Sequence, residues 1–456
     1  MVERIESTDV LSVPESSGRV QLTEDPPEFV DLFAGCGGLS LGLLQSGWLG
    51  IGAVEKDAFA FSTLEANLIE GRECNQYMWP SNLKRGPMSI SSFLRYIAGD
   101  AELFRSLKHL DLIAGGPPCQ GFSFAGRRDH DDPRNRLFRE YVRAVRVLRP
   151  SLLLIENVPG VMVGHGGRAI PFSEKIVSAL RRHGYVCFAG VHRAAEFGVP
   201  QERPRFFLIG IDSNRYPACK DPQFQTEVGA CIQFGREALL NRKNLTGKLP
   251  ISSREALSDL ETHGKTLQPC ADAPRRFQLL YSESARSGNY QLALKNRSEV
   301  SMDSMRLALH SKPVRSKLAS LIESCTRLRR LGVSLTKKER RVLKNKKHHV
   351  VVLDPECPSH TLTTLPDDLI HYSEPRILTV REYARLQSFP DWFVFRGKYT
   401  TGGHKRVKEC PRYTQVGNAV APFVAEAMGL ALKILLQKLR DSGPEAHGRE
   451  CKERNR

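Results

Sequence analysis

Five short apolar runs constrain this chain more than any other feature. They are Phe29-Val30-Asp31-Leu32-Phe33, Ile51 to Val54, Leu110 to Ile113, Ser151 to Ile155 and Arg205 to Gly210. Each has a strand's length, and the stretches between the early runs carry helical spacing. Leu39, Leu43 and Leu44 fall on one face, and Ala58–Ile69 and Leu137–Leu148 read as helices. Strands that alternate with helices predict a doubly wound α/β sheet, Rossmann-like in organisation. Ligands of such sheets sit beyond the carboxyl ends of the strands. The chain's unusual residues cluster there: a glycine-rich turn after Phe33, Glu55 after Val54, Gly115-Gly116-Pro117-Pro118 after Ile113, and Glu156-Asn157 after Ile155.

The rhythm divides the chain. Residues 1–27 read as a disordered polar arm and 28–211 as the Rossmann-like domain. Residues 212–353 are expected to form a second, smaller and irregular domain. Residues 354–439 end the first domain with a final helix from Ala421 to Leu439, and 440–456 read as a disordered tail. The formal net charge of +17 points to a polyanionic partner, with nucleic acid foremost. Arg327 to Lys347 holds ten basic residues and one acidic residue, Glu339, which suits either a DNA-facing helix or a solvated face. No apolar run approaches the ~20 residues of a membrane helix, and the polar N-terminus lacks a signal-peptide layout. The 11 cysteines are scattered without a C-x-x-C pair, so neither a metal site nor a disulfide framework is expected.

The motifs supply the chemistry. Gly35, Gly37 and Gly38 after the first strand allow close backbone approach to a cofactor, and the G-K-[ST] of a phosphate cradle is absent. Glu55 stands 20 residues after Gly35, where a carboxylate typically holds ribose hydroxyls. Cys119 follows the stiff Pro117-Pro118 pair, a position suited to a nucleophile whose thiolate is favoured by N–H groups and basic side chains. Glu156 ends a neighbouring strand, and Arg203 and Arg205 precede another.

Taken in order, Gly115-Gly-Pro-Pro-Cys-Gln-Gly-Phe-Ser123, Glu156-Asn-Val158 and Gln201-x-Arg-x-Arg205 resemble the signature blocks of the DNA (cytosine-5)-methyltransferases. Asp31-Leu-Phe-Ala-Gly-x-Gly-Gly38, the stretch from Arg376 to Asp391, and Gln415-Val-Gly-Asn-Ala-Val420 match three further blocks. The resemblance covers roughly residues 28–211 and 354–435, and the gap corresponds to the family's variable target-recognition region. It implies S-adenosylmethionine as methyl donor and double-stranded DNA as substrate. Cys119 would add to C6 of a flipped cytosine. Glu156 would serve N3, Arg203 would hold O2 of the base, and Arg205 would orient Glu156 or a phosphate. Asp31, Phe33, Gly35, Cys36, Gly37, Gly38, Glu55, Lys56, Pro118, Leu137, Asn418 and Ala419 would form the cofactor site, with Asn418 at a helix start. Gln120, Ser123, Arg127 and Arg128, in a lid after the nucleophile, would face DNA with Lys337, Lys338, Arg340 and Arg341 of the basic run.

One departure stands out. Many members carry an Asp after the second helix for the adenine amino group. Gly86-Pro-Met-Ser-Ile90 has none there, and Asp100 lies further on. A tRNA cytosine methyltransferase and an inactive DNA-binding paralogue are the competing readings. Against them stand the missing Cys-Phe-Thr stretch of the former and the retention of Cys119, Glu156 and Arg203. A monomer acting in the bacterial cytoplasm is expected. With no nuclease signature in the chain, a cognate restriction endonuclease would be a separate protein.

Overall fold

The computed structural model describes residues 25–71, 77–118, 137–163, 170–282, 285–286, 288–295, 302–342, 349–401 and 409–442. A six-stranded sheet forms the centre. Its strands are β1 (Glu28–Leu32), β2 (Leu49–Val54), β3 (Leu112–Gly115), β4 (Leu152–Asn157), β5 (Tyr185–Arg193) and β7 (Pro204–Asp212); β6 (Gln201–Glu202) lies outside it. The order is β2-β1-β3-β4-β7-β5. The first four strands are parallel, and β7 runs antiparallel between β4 and β5. The parallel strands are buried almost throughout, which is why they read as near-continuous apolar runs. Because β1 to β4 point the same way, the Gly loop, Glu55, Gly116-Pro117-Pro118 and Glu156 emerge at one end of the sheet.

The helices that follow the early strands are α1 (Gly38–Gln45), α2 (Ala58–Leu64), α3 (Ile90–Ala98), α4 (Ala101–Leu107), α5 (Leu137–Leu148) and α6 (Phe172–Arg181). The helix expected over Ala58–Ile69 is α in its first part and a π-turn over Glu65–Ile69. Two elements depart from the sequence reading. Strand β5 has no counterpart among the five apolar runs. The segment 212–353, expected to be irregular, opens with the 19-residue helix α7 (Phe224–Arg242), whose Val228, Cys231, Leu239 and Leu240 join the main core.

Next come α8 (Ser253–Leu257), the hairpin β8 (Leu267–Cys270) with β9 (Ala273–Leu279), α9 (Asn289–Ala293), α10 (Lys312–Arg327) and α11 (Lys337–Val342). Short strands β10 (Val351–Val352), β11 (Ser359–His360) and β12 (Leu369–Ile370) lead to α12 (Val380–Leu386), α13 (Arg412–Asn418) and α14 (Pro422–Asp441). A small separate core joins Leu321, Cys325 and Leu335 to Val350, Val352 and Ile370.

Helix α14, near the far end of the chain, packs between α1 and α7. The approach is close on both sides. A Cβ on Gly42 of α1 would stand 2.4 Å from Ala425 Cβ, and one on Gly235 of α7 would stand 2.2 Å from Ala427 O. The α13–α14 stretch is long and apolar enough by composition to cross a membrane, but most of it is buried inside the protein. Its apolarity follows from two helical neighbours.

Candidate active site

A cleft of about 1990 Å³ opens beyond the carboxyl ends of β1 to β4. One wall is the loop after β1. There Phe33 adopts φ 62°, unusual for a bulky side chain, and Gly35 and Gly37 have φ 57° and 95°. Asp31, Phe33, Gly35, Cys36, Gly38, Glu55, Lys56, Pro118, Leu137, Asn418 and Ala419 all line the cleft. Gly37 does not; it supplies the left-handed turn that starts α1. Asn418 ends α13 rather than starting a helix, because Pro422 opens α14 three residues after Ala419.

Of the carboxylates of this wall, Asp31 is fully buried and Glu55 half-buried. Glu55 accepts from the N–H groups of Gly35 (2.9 Å), Lys56 (2.8 Å) and Asp57 (2.7 Å). It thereby braces the Gly loop, and burial still raises its pKa above the ordinary range. Asp31 Oδ2 accepts from Ser40 Oγ at 2.6 Å, and Tyr77 OH donates to Ser40 Oγ at 2.8 Å. Asp31 Oδ1 is buried with no partner among the described residues. Burial lifts the Asp31 pKa to about 7. Cys36 is buried, its thiol pushed up to about 12 by burial, and Sγ donates to Gln415 O at 3.6 Å.

Opposite stands Glu156, 8% exposed at the end of β4. Arg205 Nε reaches its Oε1 at 2.9 Å. Burial raises the Glu156 pKa and lowers that of Arg205, so desolvation outweighs their attraction on both partners. Asn157 donates from Nδ2 to Pro117 O at 3.0 Å, tying β4 to the turn that leads to Cys119. Cys119, Gln120, Ser123, Arg127 and Arg128 lie outside the described residues.

Arg203 also lines the cleft, but its donors face the protein. Nη1 donates to Gln201 Oε1 (3.4 Å) and Leu362 O (3.2 Å), and Nη2 to Gly417 O (2.7 Å) and Ala419 O (3.4 Å). The sequence reading assigned Arg203 to O2 of the base; in the structure both of its Nη atoms are taken up by these four acceptors. On Arg205, Nη1 donates to Pro204 O at 2.7 Å, and Nη2 has no partner among the described residues.

Several lining residues went unrecognised in the sequence. Met88, Ser89, Ile90 and Ser91 form the wall where the missing Asp was sought. Asp100 is not part of it; its carboxylate caps α4 through Glu102 N and Leu103 N. His349, His360 and Thr361 to Leu365 close the far side. Their signal was weak because they come from loops and two-residue strands. Lys337, Lys338, Arg340 and Arg341 lie on the short helix α11 and do not line the cleft.

The cleft suits S-adenosylmethionine. Asp31 Oδ1, a buried acceptor without a donor among the described residues, would suit a cationic ammonium, and Phe33, Met88, Ile90, Pro118 and Leu137 offer an apolar seat for an aromatic base. The family model described as C-5 cytosine-specific DNA methylase matches residues 28–433. The type II methyltransferase M.DdeI of Desulfomicrobium norvegicum is 30% identical over 406 residues, 88% of this chain and 86% of that protein. M.XorII of Xanthomonas oryzae is 30% identical over 424 residues, 90% and 86% of the two chains. A crystal structure described as a DNA modification methyltransferase encoded within an Escherichia coli prophage aligns with TM-score 0.58 and 26% identity over 90% of this chain and 99% of that one. The chain therefore belongs to the C-5 cytosine-specific DNA methylase family, enzymes that take their methyl group from S-adenosylmethionine.

Proposed function

We propose that the enzyme methylates C5 of a cytosine flipped out of a specific duplex DNA sequence, through a covalent bond between Cys119 and C6. The observation that carries this reading is the ion pair of buried Glu156 with half-buried Arg205, both lining the cleft. A stacked base cannot reach a recessed carboxyl group, so the target must leave the helix, at a cost of a few kcal/mol.

The Cys119 thiolate adds to C6, and the electron pair released from the C5–C6 bond runs towards N3. Glu156, whose pKa burial raises, gives N3 its proton. Arg205 Nη2 is placed to take O2 as charge grows there. When bound, S-adenosylmethionine supplies an electrophilic methyl on its sulfonium, and C5 takes it. A base then removes the C5 proton. The C6–S bond breaks, Cys119 leaves as thiolate, and Glu156 recovers its proton.

The same reading takes the enzyme as a monomer acting on DNA in the bacterial cytoplasm, and the relatives' type II designation supports its pairing with a separately encoded restriction endonuclease. The first test is incubation with tritiated S-adenosylmethionine and plasmid DNA, followed by bisulfite sequencing. The reading expects label at cytosine in one short motif, and Cys119→Ala should abolish transfer while retaining DNA binding. Residual turnover of that variant above background removes the nucleophile assignment. Label in tRNA but not in DNA overturns the substrate.

A further inference from the structure

Arg203 is 3% exposed, yet its neighbours are mainly backbone carbonyls. A guanidinium carries five N–H groups. Four of them point at Gln201 Oε1, Leu362 O, Gly417 O and Ala419 O. Only Nε is without a partner among the described residues. These acceptors come from three parts of the chain: strand β6, the stretch after β11, and the end of α13 with the turn that follows it.

That last turn is a lip of the cofactor cleft. Gly417, Asn418, Ala419 and Val420 all line it, and it is wedged from two sides. A Cβ on Gly38 would stand 2.3 Å from Val420 O, and one on Gly417 would stand 2.4 Å from Thr363 O. Two glutamines complete the clasp. Gln387 donates to Ala419 O at 2.5 Å and accepts from Gln201 Nε2 at 2.5 Å, while Gln201 Oε1 accepts from Leu362 N at 2.9 Å. The lip is thus fixed to the strand that carries Arg205, two residues beyond Arg203.

We propose that Arg203 is a positioning residue for the cofactor lip, holding Gly417 to Ala419 where S-adenosylmethionine is gripped, rather than a contact to the target base. This rests on the reading of the cleft as the cofactor site. Lysine keeps the charge but cannot span the carbonyls with a planar fork, so Arg203→Lys separates the two roles.

The experiment measures S-adenosylhomocysteine binding without DNA by equilibrium dialysis, together with kcat at saturating cofactor. Arg203→Lys is expected to weaken binding about tenfold while kcat falls by no more than about threefold. Arg205→Lys is expected to do the reverse, with unchanged binding and a kcat lower by about two orders of magnitude. Gln387→Met, which removes the second donor to Ala419 O, should weaken binding in the same direction; it carries the test if circular dichroism shows that Arg203→Lys does not fold. Unchanged binding in both clasp variants overturns the proposal, and a large kcat loss with normal binding in Arg203→Lys returns that residue to the base. Failure of the parent enzyme to bind S-adenosylhomocysteine overturns the cofactor reading, and the positioning role with it.

Discussion

Asp31→Asn tests the cofactor wall most directly, because the structure gives both its sign and its size. The Asp31 carboxyl is fully buried, with one hydrogen bond from Ser40 and an unpartnered Oδ1. Burial lifts its pKa from 3.8 to about 7. Between those two values the folded chain keeps a proton that the unfolded chain has released. Stability from this group is therefore greatest below the lower value, falls as pH rises through the window, and levels off above about 7. The full difference corresponds to about 4 kcal/mol against the ionised form, an upper bound because a charged site relaxes and admits water. Asparagine has nearly the same shape and no charge. Without cofactor, the variant should match the parent in urea unfolding near about pH 4 and exceed it increasingly towards about pH 8. With cofactor the order reverses. An ionised Asp31 paired with the ligand's ammonium makes S-adenosylhomocysteine binding by the parent tighten as pH rises through about 7. The variant should bind more weakly and without that pH dependence. A variant whose unfolding keeps the parent's pH slope, or whose ligand binding keeps the parent's pH profile, would refute the reasoning.

Three further outcomes are expected. Glu156→Gln should lower kcat by about two to four orders of magnitude with little change in DNA affinity, since it removes proton transfer and leaves the shape; a near-normal rate would take Glu156 out of the acid role. Replacing Lys337, Lys338, Arg340 and Arg341 by Gln should weaken DNA binding and reduce the slope of log affinity against log salt by up to about 3 to 4; an unchanged slope would make α11 a solvated face. Asp391→Asn should destabilise the fold by about 3–5 kcal/mol, because Asp391 sits 2.9 Å from Arg385 Nε and 2.6 Å from Arg286 Nη2, all buried; a loss below about 1 kcal/mol in urea unfolding would show that the site repacks or hydrates.

The parts legible in the sequence were those whose signal is local. Buried parallel strands such as Leu152–Ile155 leave runs of apolar residues, and the ligand end of each run is marked by a residue type that a plain turn does not need. Strand β5 escaped because its residues alternate irregularly between buried and half-exposed positions at the sheet's edge. Helix α7 escaped because its few buried residues gain their meaning only from α14, nearly two hundred positions later. The same logic governs the site. The resemblance left Arg205 to orient either Glu156 or a phosphate; the antiparallel register of β4 and β7 brings it to Glu156. The role of Arg203 was not readable, because residue type says only that a guanidinium is present. Its decisive acceptors are carbonyls at Leu362, Gly417 and Ala419, between 159 and 216 residues away, and a carbonyl leaves no mark in a sequence. The block from Arg376 to Asp391 makes the same point. Arg376 pairs with Glu374 and Glu382, Arg381 with Asp303, and Arg385 with Asp259 and Asp391. A row of arginines that could pass for a DNA-facing surface is a buried ionic brace. It fastens α12 to Asp259, Asp303, Glu374 and Asp391, and this is why charge alone in that block says little about DNA.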